Sequence, residues 1–384
     1  MSCDDDPKPT KEKDGIIASD DDVDLEVGDL RGRITGDITL AADEDWLLTA
    51  ALVVADGGKL TIEAGTTIKA EAGGTDVYIA VERNGEIQAV GTAADPIKIT
   101  SAAAAPESGD WGGLMIMGNA TITGGVTAVT EVVDFIYGNN PAVDTDDSGD
   151  IAYLILEYTG ARINGEKEFN GLTLYGVGSG TTIHDVYIKS GDDDAIEFFG
   201  GTVSVSNLLA VNATDDMFDY TQGWKGTLSN AYGIREAGHS KISADPRGIE
   251  GDGNLDGLTP ALNPQSNPTM TNITIVNKST DANSGNSNIV DVVKVRRNSS
   301  GSFTNLLFIQ GTGVPVPGDL VDCTDGAGDS NAAVTVNITV SGPDAATIKT
   351  DNKAGANAAT ITVPDAANTG CSTALFAWTG YTFN

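Results

Sequence analysis

The sequence predicts an all-β solenoid, a parallel β-helix with coils of about 22 residues and long inserted loops, and three observations lead there. First, Asp193-Asp194-Ala195-Ile196-Glu197-Phe198 recurs without gaps as Asp215-Asp216-Met217-Phe218-Asp219-Tyr220, a shift of 22 that also carries His184 onto Ser206. Second, Ser or Thr followed by Asn and an apolar residue appears at Ser206-Asn207-Leu208, Ser229-Asn230-Ala231, Thr271-Asn272-Ile273 and Thr304-Asn305-Leu306. The spacings are 23, 42 and 33, as when loops are inserted into some coils of a repeat. Third, 47 glycines, 13 prolines and 6% aromatics describe many turns and short strands rather than helices. Asn at a recurring turn accepts a left-handed backbone and stacks its amide on the next Asn. Each coil then buries inward Val, Ile and Leu on the coil below.

From the N-terminus, residues 1–28 read as a polar, acidic, disordered tether. Ser2-Cys3 followed by Asp4-Asp5-Asp6 resembles the end of a bacterial lipobox, with the acids resembling the surface-export signal of Bacteroidota lipoproteins. That resemblance implies lipidation of Cys3, a signal peptide ahead of it, and an outer-membrane, cell-surface, lipid-anchored protein. No run of 18 apolar residues offers a transmembrane helix.

Residues 29–56 are expected to cap the N-terminal end of a helix spanning 29–312. Leu60-Thr61-Ile62, Thr66-Thr67-Ile68, Ile87-Gln88-Ala89-Val90 and Ile97-Lys98-Ile99-Thr100 alternate as strands. Residues 138–150, 237–268 and 313–372 are polar, rich in Gly and Pro, and break the period, so they read as loops of the kind that form binding surfaces. Within 313–384, Val334–Val340 and Ala359–Val363 alternate strictly, which predicts a small β insertion, and Ala374–Trp378 is expected to close the C-terminal end. Cys323 and Cys371 bracket this stretch and are a candidate disulfide, suited to an oxidising compartment.

Lys and Arg total 22 against 55 Asp and Glu, a formal charge of −33. That field repels nucleic acid and anionic headgroups and admits divalent cations, basic partners and neutral glycans. No P-loop, nucleophile elbow, HExxH or dinucleotide fingerprint occurs.

Further along, Gly58–Ile68, Ala89–Ile97, Asp110-Trp111-Gly112-Gly113-Leu114, Gly171–Thr181, the two acidic hexads and Arg247-Gly248-Ile249-Glu250 resemble a widespread family of bacterial surface and secreted β-helix proteins. The resemblance covers about residues 55–310 and implies the right-handed parallel β-helix of the pectate-lyase-like superfamily. It implies little about activity.

The repeat also places chemistry. Adjacent coils lie about 4.8 Å apart, so Asp193 stacks near Asp215, Asp194 near Asp216 and Glu197 near Asp219, with Asp192 beside them. Like charges at that range raise each other's pKa unless a cation, a base or solvent compensates. Asp192, Asp193, Asp194, Asp215, Asp216 and Asp219 are therefore candidate Ca²⁺ ligands. Lys294 falls in register with Glu197 and Asp219 if one residue is inserted, and Arg235, Arg247, Arg296 and Arg297 are further compensating bases.

If the protein is an enzyme, it is a Ca²⁺-dependent polysaccharide lyase or glycoside hydrolase. Glu197, Asp216 and Asp219 then supply the carboxyls, and Lys225, Arg235 or Arg247 the base. Asp192–Asp194 and Gly238-His239-Ser240 faintly resemble polygalacturonase segments, without the second Gly after the His. His184 and His239 have no metal-site companions and read as ordinary turn and loop residues. Phe198, Tyr220 and Trp224 beside the acids are candidates for stacking on sugar rings. The leading expectation is a surface binding module for a glycan or an outer-membrane protein partner. The alternatives are the enzyme and a passive adhesive spacer.

Overall fold

The computed structural model describes residues 15–164, 167–240, 243–257, 261–280, 289–348, 353–355, 359–363 and 368–383. Cys3 and the tether up to residue 14 lie outside them. The chain winds as a right-handed parallel β-helix with three sheets. The first sheet stacks Leu30–Ile34, the end of Trp46–Val54, Ile79–Val81, Leu114–Met117, Leu172–Tyr175, Ile196–Phe199, Phe218–Thr221, Ile249–Asp252, Asp291–Arg296 and Asp319–Asp322. The second and third sheets are often two halves of one long strand, bent at a single residue, as in Thr182–Lys189, Ser204–Val211, Thr227–Arg235, Thr269–Asn277 and Ser302–Gln310.

The bend explains the Ser/Thr-Asn signature. Asn207, Asn230, Asn272 and Asn305 sit at φ of 57°, 56°, 56° and 55°, a left-handed conformation that Asn tolerates better than other side-chain-bearing residues. Their amides form a chain along the helix axis: Asn305 donates to Asn272 at 2.7 Å, Asn272 to Asn230 at 2.9 Å, and Asn230 to Asn207 at 3.1 Å. Asn207 passes the chain to Asp185 at 3.1 Å.

Inside, side chains of one column touch those of the next. Val54, Val81, Ile116, Leu174, Phe198 and Tyr220 succeed one another along the first sheet, all buried. Trp224 stacks on Phe198 with ring centroids 3.9 Å apart. The next coil answers with Gly251, where a Cβ would lie 2.1 Å from the Tyr220 ring.

Four expectations change. Residues 15–28 are not all tether, because Ile16–Ile17 pairs with Arg33–Ile34 and Ile17 enters the core. Residues 29–56 form ordinary parallel rungs rather than a distinct cap. Thr335–Ser341 and Thr360–Thr362 are further rungs on Ser302–Gln310, not a separate β unit. The expected loop 237–268 hides the rung Ile249–Asp252.

The C-terminal segment does not close the end. Residues 368–383 run back along the outside of the third sheet, from Asn337, which pairs with Asn368 at 2.7 Å, to Tyr153, which meets Trp378 edge-on. Phe376 is buried there with Tyr187, Leu209 and Tyr232. Cys371 belongs to this outer cluster and Cys323 to the interior, so both are free thiols and the expected disulfide is absent.

Candidate functional site

The outward column of the first sheet changes character along its length. It runs Ala80, Met115, Thr173, Glu197, Asp219, Glu250, Lys294 and Asp322, one residue per coil. The early, apolar part is covered by the 118–148 insertion, whose Ile122 and Tyr137 pack on Tyr175 and Phe199. The later part is an ionic ladder, and the turns preceding each strand add Asp192–Asp194, Asp215–Asp216 and Arg247 to it.

Alternation then fixes what lies between the acids. With Glu197 and Asp219 outward, Phe198 and Tyr220 must point inward, and Trp224 joins them, all three fully buried. The stacking platform expected for sugar rings is therefore core.

Asp192, Asp194, Glu197 and Asp216 are buried, and Asp193, Asp215, Asp219 and Glu250 are half-buried. Asp194 and Asp192 are 7% exposed and Asp216 is 3%. Asp194 accepts the Asp216 backbone N–H at 2.8 Å, and Asp216 accepts that of Arg247 at 2.5 Å. Asp215 accepts the Ser243 hydroxyl at 2.6 Å. Glu197 accepts the Asn170 amide at 2.7 Å, and Asp219 Oδ1 is buried with no hydrogen bond.

The bases are unevenly distributed. Arg162 reaches Asp192 at 3.3 Å, Asp193 at 3.6 Å and Glu168 at 3.1 Å. Arg247 reaches Glu250 at 2.6 Å and Asp291 at 3.4 Å, while Arg296 binds Glu250 and Asp252, each at 2.7 Å. Arg297 meets Asp252 at 2.6 Å. Arg235 is fully buried and donates to the carbonyls of Ala213 and Asp215. Lys294 occupies the same column as Glu197 and Asp219 but turns its Nζ to Asp322 at 2.9 Å. Lys225 is exposed on another edge of the helix. His184 pairs with Asp185 at 2.6 Å, and the His239 carbonyl accepts the Ser279 hydroxyl.

Among the described residues, then, Asp194, Glu197, Asp216 and Asp219 make no ion pair. Burial, reinforced by the neighbouring acids, pushes all four carboxyls well above the usual carboxylate range. Asp193 and Asp215 shift upward for the same first reason. Glu250 is pushed up to about 7 by burial, against the pull of Arg247 and Arg296. Asp322 goes the other way, to about 2, because Thr324 and Lys294 hydrogen-bond its charged form more strongly than burial opposes it.

Geometrically Asp194, Glu197, Asp216 and Asp219, with the arginine-paired Glu250, form two overlapping triads. One carboxylate oxygen each of Asp194, Glu197 and Asp219 lie within 4.8 Å of one another, as do those of Asp216, Asp219 and Glu250, with Asp219 shared. Asp193, Asp194 and Asp215 form a third such group. An all-oxygen set of this kind suits a hard divalent cation. Asn170, whose Oδ1 is buried without a hydrogen bond, adds a neutral oxygen beside Glu197.

Sequence reasoning missed Glu250, Arg162 and Asn170. Glu250 follows Asp219 by 31 residues instead of 22, although Ile249-Glu250-Gly251 repeats the apolar–acid pattern of Phe218-Asp219-Tyr220. Arg162 lies on an antiparallel hairpin outside the repeat, and nothing in its neighbourhood signals it.

No curated protein matches the chain. An alginate lyase from Paenibacillus sp. str. FPU-7 is a similar solved structure, at 14% identity and a TM-score of 0.34, covering 83% of this chain and 98% of that one. Residues 32–382 match the pectate-lyase like beta helix domain, and the chain belongs to that family.

Proposed function

We propose that this protein is a surface-displayed binding module for polysaccharide, whose acid ladder holds Ca²⁺ as an internal brace. The observation that carries the brace is the group Asp194, Glu197 and Asp216, buried, with half-buried Asp219 close to all three, and none of the four in an ion pair among the described residues. Such a group is tolerated only with protons or a cation on it. A cation here ties three successive coils together. The polysaccharide role is supported by the family, and the anchor by the lipobox-like Ser2-Cys3. An outer-membrane protein is the alternative partner.

A lyase or hydrolase acting through the ladder requires sugar to reach Glu197, Asp216 or Asp219. The burial of Glu197 and Asp216 opposes that, Asp219 is half-buried, and Arg235, the deepest of the candidate bases, is fully enclosed. The cover favours a brace over a reaction centre.

Calorimetric titration of chelator-treated protein with Ca²⁺ tests the brace. Saturable uptake in the wild type, weakened roughly tenfold or more in Asp219→Asn, is expected for a lost charged ligand shared by two triads. No uptake, with an unchanged melting temperature, defeats it. New reducing ends or unsaturated products from a polysaccharide panel, lost in Asp219→Asn, restore the enzyme.

A further inference from the structure

Away from the ladder, the turns joining the first sheet to the second form a cleft of about 590 Å³, within the size range of ligand sites. Successive coils each contribute to its floor: Thr202, Lys225, Asn267, Ser300 and Asn331. Backbone bonds hold these turns in register, from Lys225 to Gly201, Asn267 to Trp224, Ser300 to Ser266 and Asn331 to Ser299. The floor therefore runs four coil steps along the helix axis, roughly 19 Å at about 4.8 Å each. Thr121 and Asp144 of the 118–148 insertion form one wall, and Gln265 with its neighbours the other.

Most of the lining side chains are amides and hydroxyls. One Lys and one Asp offset each other, so the cleft has no net charge in a chain that carries −33. Asn331 donates to Asn298 at 3.0 Å, which uses the Asn298 oxygen and leaves its two N–H donors for a ligand. No Phe, Tyr, Trp, Met or Arg lines the cleft, and these are the residues that anchor protein partners. A polyanion finds one lysine there and a strongly negative molecule around it.

We propose that this cleft binds a neutral polysaccharide lengthwise, with successive sugar hydroxyls meeting the Asn, Ser and Thr groups of successive coils. This rests on the binding-module reading above and gives it a place and a ligand class. Affinity comes from many weak polar contacts in a row, so long chains bind and monosaccharides do not.

Affinity electrophoresis through gels containing mannan, β-glucan, xylan or polygalacturonate tests it, using the wild type and Lys225→Ala/Asn267→Ala. Both side chains are exposed, so the melting temperature stays unchanged in the double variant. Retardation by at least one neutral polymer is expected, weakened roughly tenfold in the double variant, as suits two lost polar contacts. Stronger retardation by polygalacturonate, equal retardation of wild type and variant, or no retardation at all overturns the proposal. Running the gels with Ca²⁺ or with chelator separates the two readings. Ca²⁺ uptake without retardation removes the cleft and leaves the brace. Retardation without Ca²⁺ uptake supports the cleft and removes the brace.

Discussion

Glu197 and Asp219 occupy partner positions on adjacent parallel rungs, their side chains stacked outward from the sheet, Glu197 buried and Asp219 half-buried, and neither forms an ion pair among the described residues. Asn170 supplies Glu197 with one hydrogen bond, and Asp219 Oδ1 has none. Two like charges so placed demand protons or a cation, and the predictions for the ladder start from that demand.

Protons and Ca²⁺ compete for the same oxygens, so stability without metal depends on pH. Burial raises the folded-state pKa of Glu250 to about 7, and of Asp194, Glu197, Asp216 and Asp219 above their ordinary values. The unfolded chain releases these protons near pH 4, about the value for free carboxyls. Between about pH 4 and 7 the folded state therefore holds more protons, and stability falls as pH rises through that window. Asp322, lowered to about 2, contributes oppositely only at the acidic extreme. In chelator, the melting temperature is expected to be several degrees higher at pH 5.5 than at pH 7.5. Ca²⁺ is expected to raise the pH 7.5 value and flatten the dependence. A flat profile in chelator contradicts the buried-acid account.

Arg247 is the base on which Glu250 and Asp291 both depend, at 2.6 and 3.4 Å. Arg247→Met keeps bulk but removes the ion pair of buried Asp291 and leaves Glu250 with Arg296 alone, which costs on the order of 3–5 kcal/mol. Denaturant melts at pH 7.5 measure this. Lowering the pH to 5.5, where Glu250 is mostly protonated, is expected to recover part of the loss. Equal losses at the two pH values assign the effect to packing instead.

How much of this was legible depends on whether the period survived. The 22-residue shift put Glu197 beside Asp219 and Asp193 beside Asp215, and the register confirms the first pair. The Asn signature foretold the left-handed bends. Glu250 escaped because nine extra residues separate it from Asp219, and the sequence had no way to show that the intervening loop leaves the stack and returns in register. Phe198, Tyr220 and Trp224 were misplaced although strand alternation already required the first two to point opposite to the acids. The Cys323–Cys371 pairing rested on chain position alone, and chain position does not distinguish the inside of a solenoid from its outside.

Asn272 tests the amide chain. It donates to Asn230 at 2.9 Å, accepts from Asn305 at 2.7 Å, and holds φ at 56°. Asn272→Ala loses both bonds and strains the left-handed backbone, for a cost of roughly 2–3 kcal/mol. Asn272→Gly relieves the backbone and keeps only the loss of the bonds, about 1–2 kcal/mol. Equilibrium unfolding is expected to rank them wild type, Gly, Ala. Ala at or above Gly removes the backbone part of the argument.

The returning C-terminal segment is held from outside, so it is expected to come loose without unwinding the helix. Phe376 is its buried anchor, and Cys371 lies under the same cover, its thiol pushed up to about 12 by burial. Cys323, in the interior, is pushed up to about 11. Both thiols are therefore expected to resist a maleimide at pH 7.5 in the native wild type, since the reactive thiolate is scarce and covered. Phe376→Ala removes a buried ring worth about 3–5 kcal/mol where its surroundings do not collapse. In that variant Cys371 is expected to react within minutes while Cys323 stays protected and the far-UV circular dichroism is unchanged. Simultaneous labelling of both cysteines means the segment supports the whole helix. Labelling of neither means that Tyr381, which bonds Glu236 at 3.0 Å, and Phe383, edge-on to Tyr232, hold it without Phe376.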